Sequence, residues 1–145
     1  ATASESAGGI APQPLTTTTE PAPDNVQVID NILYRTQGNA INFQSSAATV
    51  SAQDAKVQRN LVFEGCATAA GECGGIEVNG CQNCDVSYNL VYDIMPTTAG
   101  TNQNGNCMRN GGTTETLATG TVFHHNIAIN CGRAGITFDN TANGC

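Results

Sequence analysis

Few side chains in this 145-residue chain are equipped for chemistry, and their positions follow a pattern. Five Lys and Arg stand against twelve Asp and Glu, with two His. The cations are Arg35, Lys56, Arg59, Arg109 and Arg133, and the histidines are the adjacent pair His124 and His125. Asp30, Arg59, Tyr88 and His125 each stand immediately before an asparagine in one of four related phrases: VIDNILY (28–34), VQRNLVF (57–63), VSYNLVY (86–92) and FHHNIAI (123–129). If the phrases are equivalent, these four side chains line one wall. Abstracting a proton beside a carboxylate needs a base, and a cation to neutralise that carboxylate. His124 or His125 would be the base and Arg109 the neutraliser. A solvated polar face accounts for the same residues, and a net charge of −7 repels an acidic polysaccharide. No catalytic residue is assigned, and no cofactor is expected.

Seven cysteines are the other reactive groups: Cys66, Cys73, Cys81, Cys84, Cys107, Cys131 and Cys145. A zinc site wants two CxxC pairs, or one with well-spaced His. Here a single CQNC (81–84) accompanies two adjacent His, so no metal site is expected. Disulfides fit better. Cys66 and Cys73 bracket the insertion EGCATAAGEC, and Cys107 and Cys131 each lie just before a second repeated phrase. Disulfides imply an oxidising, extracellular or cell-surface place. The odd count leaves Cys145 as the candidate for a bond to another chain.

The elements that must hold these residues are read from the spacing. Asn31, Asn60, Asn89 and Asn126 are separated by steps of 29, 29 and 37 residues. AINF (40–43), GIEV (75–78) and GITF (135–138) repeat as well, with CMRN (107–110) as a weaker counterpart. Such periods point to a solenoid, with insertions as loops on one face. The phrases are short, β-branched and aromatic, separated by Gly and Asn, which is strand and turn language. Alternation puts Ile41, Phe43, Ile76, Val78, Ile136 and Phe138 on one face, expected to be interior. Stacked rungs place equivalent asparagines about 4.8 Å apart, close enough to form a hydrogen-bonded ladder. Tyr34, Phe63 and Tyr92 share a position three after the ladder Asn, with Ile129 as the fourth member. That column would stack on sugar rings or a partner if exposed; core or turn packing is the plainer expectation.

The pattern V-x-x-N-[IL] followed by G-I-x-[FV] resembles the right-handed parallel β-helix superfamily, which includes pectate lyases, polygalacturonases and phage tailspikes. The resemblance covers about 25–145. It implies an all-β, right-handed parallel β-helix solenoid of about four coils with an extended N-terminal arm. The superfamily hosts many chemistries, so it implies little about function. The N-T-D, D-D, G-H-G and R-I-K phrases of its pectin hydrolases do not occur here, and paired carboxylates are what glycoside hydrolysis requires.

Residues 1–24 are expected to be a Thr/Pro/Ala-rich arm or linker, and 25–145 the solenoid domain. Thr16, Thr17, Thr18 and Thr19 beside Pro14, Pro21 and Pro23 look like O-glycan acceptors. The chain has no basic patch for nucleic acid and no apolar run long enough for a membrane span. No capping helix is visible at either end of the stack. Bare ends invite head-to-tail addition of further copies, and an extended arm can strap onto a neighbour by strand addition. The reading is a non-catalytic secreted structural protein, a homo-oligomer or filament subunit. The alternatives are a carbohydrate-binding or polysaccharide-degrading domain, or a fragment of a longer β-helix.

Overall fold

A computed structural model describes residues 9–12, 23–43, 52–66, 73–96, 105–111 and 119–138. Among them there are strands and turns but no helix. The strands in chain order are β1 (Gln27–Ile29), β2 (Ile32–Tyr34), β3 (Ile41–Phe43), β4 (Ala52–Gln53), β5 (Lys56–Gln58), β6 (Leu61–Phe63) and β7 (Gly74–Val78). Then come β8 (Cys81–Gln82), β9 (Asp85–Ser87), β10 (Leu90–Ile94), β11 (Asn106–Asn110), β12 (Val122–His124), β13 (Ile127–Cys131) and β14 (Ile136–Phe138).

All strand pairing among the described residues is parallel. Sheet one runs β1-β5-β9-β12, sheet two β2-β6-β10-β13 and sheet three β3-β7-β11-β14, with a ribbon of β4 and β8. Each large sheet therefore takes one strand from each of four successive stretches, here called rungs 1 to 4. The architecture is an all-β, solenoid-like stack of parallel sheets.

Corners explain the three-residue strands. Within each rung the backbone enters the left-handed region at three positions five residues apart. These are Asn25, Asp54, Asn83 and Gly120; then Asp30, Arg59, Tyr88 and His125; then Arg35, Glu64, Asp93 and Asn130. Each bend turns the chain after a short strand. Left-handed backbone costs a non-glycine residue about 1–3 kcal/mol. Inter-rung bonds offset it: the N–H groups of Asp30, Arg59, Tyr88 and Arg35 donate to the carbonyls of Gln58, Ser87, His124 and Phe63 one rung on.

The interior is built from columns of like residues. Val57, Val62, Val86 and Val91 are fully buried, as are Ile41, Ile76 and Met108 in one column of sheet three and Phe43 and Val78 in the next. Register aligns Met108 with Ile76 and Ile136, so CMRN is the counterpart of GIEV. Gly75 marks a close approach: a Cβ there would meet the Cys107 carbonyl oxygen and the Val91 side chain.

The asparagines form one directional ladder. Nδ2 of Asn31, Asn60 and Asn89 donates to Oδ1 of the next asparagine at 2.9, 2.9 and 3.0 Å. The main-chain N–H of each donates to the same oxygen at 3.0–3.1 Å. Nδ2 of Asn60, Asn89 and Asn126 also donates back to the carbonyls of Val28, Val57 and Val86.

Three disulfides tie the stack: Cys66–Cys73, Cys107–Cys131 and Cys81–Cys84, the last using the CQNC pair. They fit an oxidising environment. Near the N-terminus, Ile10 bridges Ile41 in parallel, its N–H donating to the Ala40 carbonyl and its carbonyl accepting from Asn42. Cys145 and Thr16–Thr19 lie outside the described residues.

Two outcomes are expected in urea unfolding. Asn89→Ala strands the buried Asn60 N–H and should lower stability by about 2–4 kcal/mol, whereas Asn31→Ala, at the ladder's end, should cost about 1 kcal/mol. Replacing Cys107 and Cys131 by Ser opens a 24-residue link and should cost about 3 kcal/mol, against about 2 kcal/mol for the 7-residue Cys66–Cys73 link.

Candidate functional site

Sheet two carries the most distinctive outer surface. Val62 and Val91 of this sheet are fully buried. Alternation then sends their neighbours outward, giving two apolar columns in register: Ile32, Leu61, Leu90 and Ile127, and Tyr34, Phe63, Tyr92 and Ile129. Ile32, Tyr34, Ile127 and Ile129 are exposed, and the middle pairs are half-covered by neighbours above and below. The aromatic column thus lies outside the core. Tyr34 stacks on Phe63 at 5.5 Å and 13°, and Phe63 on Tyr92 at 5.2 Å and 5°. Both faces of Phe63 and one face each of Tyr34 and Tyr92 are used in this stack, while Tyr34, at its end, is 59% exposed.

The corner residues rim this stripe. On its leading edge Arg59 donates to both carboxylate oxygens of Asp30 at 2.7 Å. Tyr88 stacks on His125 at 4.9 Å on the same edge. On the trailing edge Arg35 donates to Glu64 at 2.8 Å and Asn130 to Asp93 at 2.6 Å. The expected wall of Asp30, Arg59, Tyr88 and His125 is therefore one of two columns. The trailing one was missed. Its signal was in the chain: Asn25, Asp30 and Arg35 are five residues apart, as are Asn83, Tyr88 and Asp93.

The residues considered for acid–base chemistry are dispersed. His124 sits on sheet one, where Nε2 lies 3.1 Å from Asp85 Oδ1 and Nδ1 lies 2.7 Å from His125 Nδ1. Gln58 donates to the other Asp85 oxygen at 2.8 Å. Arg109 sits on β11 of sheet three, buried, with Nη1 3.6 Å from Glu77 Oε1. It is engaged there and stands on a different sheet from the histidines.

Glu77 belongs to a row that the sequence did not single out. Asn42, Glu77, Arg109 and Thr137 align across sheet three. Oε2 of Glu77 accepts from Asn39 at 3.0 Å and Asn79 at 3.2 Å. A buried carboxylate needs such partners to remain charged. The arrangement ties three rungs together. No group of three His, Cys, Asp or Glu side chains suited to a metal is found among the described residues, and no described helix is long and apolar enough to cross a membrane.

The hydrogen bond from Arg59 holds the Asp30 carboxyl below its ordinary value, and Arg59's charge acts in the same direction. The pair's contribution is present above the unfolded aspartate pKa and is lost as pH falls through the lowered folded value. In a carboxyl NMR titration, Asp30 should have a midpoint below the ordinary aspartate value, and Arg59→Gln should move it upward. Comparison with protein-family models, curated proteins and solved structures finds no match to this chain.

Proposed function

We propose that the protein is a secreted structural subunit of an extracellular filament, a right-handed parallel β-helix of about four coils that grows head to tail. The observation that carries this reading is the exposure of the apolar columns of sheet three at rung 4. Ile136 and Phe138 are 41% and 48% exposed, while Ile41, Ile76, Met108, Phe43 and Val78 in the same columns are 0% exposed. Phe123 packs edge-on against Phe138 beside them. A further rung of the same fold fits there, and the first rung of another copy supplies one.

Directionality supports the same geometry. In every link, donors on one rung meet Oδ1 on the next. The ladder therefore presents Asn126 donors at rung 4 and the Asn31 acceptor at rung 1. Head-to-tail stacking brings these together, and a contact of this heterologous kind propagates without closing. The edge of β3 is held by Ile10 in the free molecule. In the filament, β14 of the preceding copy takes that edge and releases the arm. Three disulfides suit an extracellular setting.

Carbohydrate binding on the aromatic column has less support, because a sugar stacks on a free ring face and the stack uses both faces of Phe63 and one each of Tyr34 and Tyr92. Polysaccharide cleavage has less again, with Arg109 buried against Glu77 on another sheet from His124.

Negative-stain electron microscopy across a concentration series tests the proposal. Uniform fibres are expected from the unaltered chain, and dispersed particles of unchanged fold from Ile136→Lys/Phe138→Lys. Dispersed particles from the unaltered chain at every concentration would overturn it.

A further inference from the structure

The geometry points to a second interface: the apolar stripe of sheet two pairs face to face with the same stripe of another copy, the two stacks running parallel about a two-fold axis along the stacking direction. This inference does not rest on end-to-end stacking. It uses a different surface, the side of the stack.

The first observation is the stripe itself. Two adjacent columns of large apolar side chains face outward through all four rungs, and Ile32 is 68%, Tyr34 59%, Ile127 56% and Ile129 54% exposed. Its area is within what a monomer ordinarily exposes; its continuity through all four rungs and the polarity of the neighbouring outer surface set it apart. The outer surface of sheet one is different in kind. Lys56, Gln58, Asp85 and His124 lie there, with Gln58 and His124 both bonded to Asp85.

The second observation selects the partner. Reading up the stack, the leading rim carries Asp30, Arg59, Tyr88 and His125, and the trailing rim carries Arg35, Glu64, Asp93 and Asn130. The charge sequence is minus, plus on the first two leading positions and plus, minus on the first two trailing ones. A rotation about the stacking axis keeps each rung level and lays one copy's leading rim along the other's trailing rim. Asp30 then faces Arg35 of the second copy, and Arg59 faces Glu64. Higher up, the Tyr88 hydroxyl faces the Asp93 carboxylate, and His125 faces the Asn130 amide. All four levels are complementary, on both sides of the stripe. Turning the second copy upside down would instead set Glu64 against Asp93, two carboxylates. Like charges in apposition penalise that arrangement. A surface that is its own complement under a two-fold rotation is what an isologous dimer requires.

Magnitude sets the conditions. From strand spacing and rise, the stripe covers roughly 20 Å by 13 Å. That is well below the ~800 Å2 per partner of a standard interface, so pairing should be weak and visible at high protein concentration.

The experiment is light scattering coupled to size exclusion, with sedimentation equilibrium up to millimolar protein. It is run in the Ile136→Lys/Phe138→Lys background, so that end stacking neither mimics nor masks lateral pairing. The expected result is a concentration-dependent rise from the 14.9 kDa monomer toward twice that mass. Adding Leu61→Lys/Leu90→Lys should abolish it.

The decisive variant is Asp30→Arg/Arg59→Asp. It preserves the ion pair within each copy but sets like charges against Arg35 and Glu64 of the partner, and should weaken pairing at least about tenfold. Adding Arg35→Glu/Glu64→Arg should restore it. Both residue types already occupy left-handed backbone at these positions, so the exchange keeps the corners' chemistry. A monomer at every concentration would overturn the inference. A dimer indifferent to the rim exchange, or not rescued by the second exchange, would also overturn it.

Discussion

The amide ladder of Asn31, Asn60, Asn89 and Asn126 is the constraint on which the rest depends. Each asparagine follows a left-handed corner, where the chain turns and main-chain groups face the interior. One carboxamide meets both needs at such a corner. Its oxygen accepts two N–H groups from one neighbouring rung, and its nitrogen reaches a carbonyl there as well as the next carboxamide. Asparagine is short enough to do this without leaving the corner. Glutamine would overshoot, and aspartate would stack like charges about 4.8 Å apart. The corner positions each rung over the last, and the strand pairing follows.

With the corners set, side-chain direction is no longer free. A three-residue strand between two bends has one central residue and two flanking ones. In sheets one and two the centre points inward, which is why Val28, Val57, Val62, Val86 and Val91 are buried while their strand neighbours are more exposed, Ser87 excepted. Stacking then turns every repeat position into a column. Columns of like apolar residues build either core or surface stripe, and columns of charged residues need alternating sign. Asp30 with Arg59, and Arg35 with Glu64, obey that rule. Such exposed pairs contribute little to stability by themselves. Their larger effect is on what can approach the stripe between them.

The two ends of the stack are chemically unlike. Rung 1 carries the segment 9–12 along β3, bridged at Ile10, and Ile41 and Phe43 are buried. Rung 4 leaves Ile136 and Phe138 partly exposed. A ladder of directional bonds adds a second asymmetry. The proposed function follows from this polarity, since an object with unlike, complementary ends joins in a line.

Much of this was legible in the chain. Repetition of V-x-x-N marked the ladder, and its steps gave the register. Alternation grouped Ile41, Phe43, Ile76, Val78, Ile136 and Phe138 on one face, expected to be interior; the first four are buried, but Ile136 and Phe138 are exposed, because β14 is the edge strand of its sheet and no described rung lies beyond it. The cysteines flanking EGCATAAGEC, and those before the two late phrases, stood where a stack brings thiols together. Other features were decided only in three dimensions. Alternation alone does not say which side of a strand is interior, so the Tyr34–Phe63–Tyr92 column was assigned outward only by the burial of Val62 and Val91. The left-handed corners at Arg35, Glu64 and Asp93 share no residue type, so only their five-residue spacing marks them; at Arg35 an inter-rung bond to the Phe63 carbonyl helps hold the bend. Glu77 and Arg109 are 32 residues apart and meet because β7 and β11 lie side by side. The sequence by itself determined the repeat, the ladder and the register, which are one-dimensional properties of periodic residues. Only the tertiary structure decided which face is outside, which charges share a rim and which apolar residues of the columns are exposed, because each depends on how the rungs close around a core.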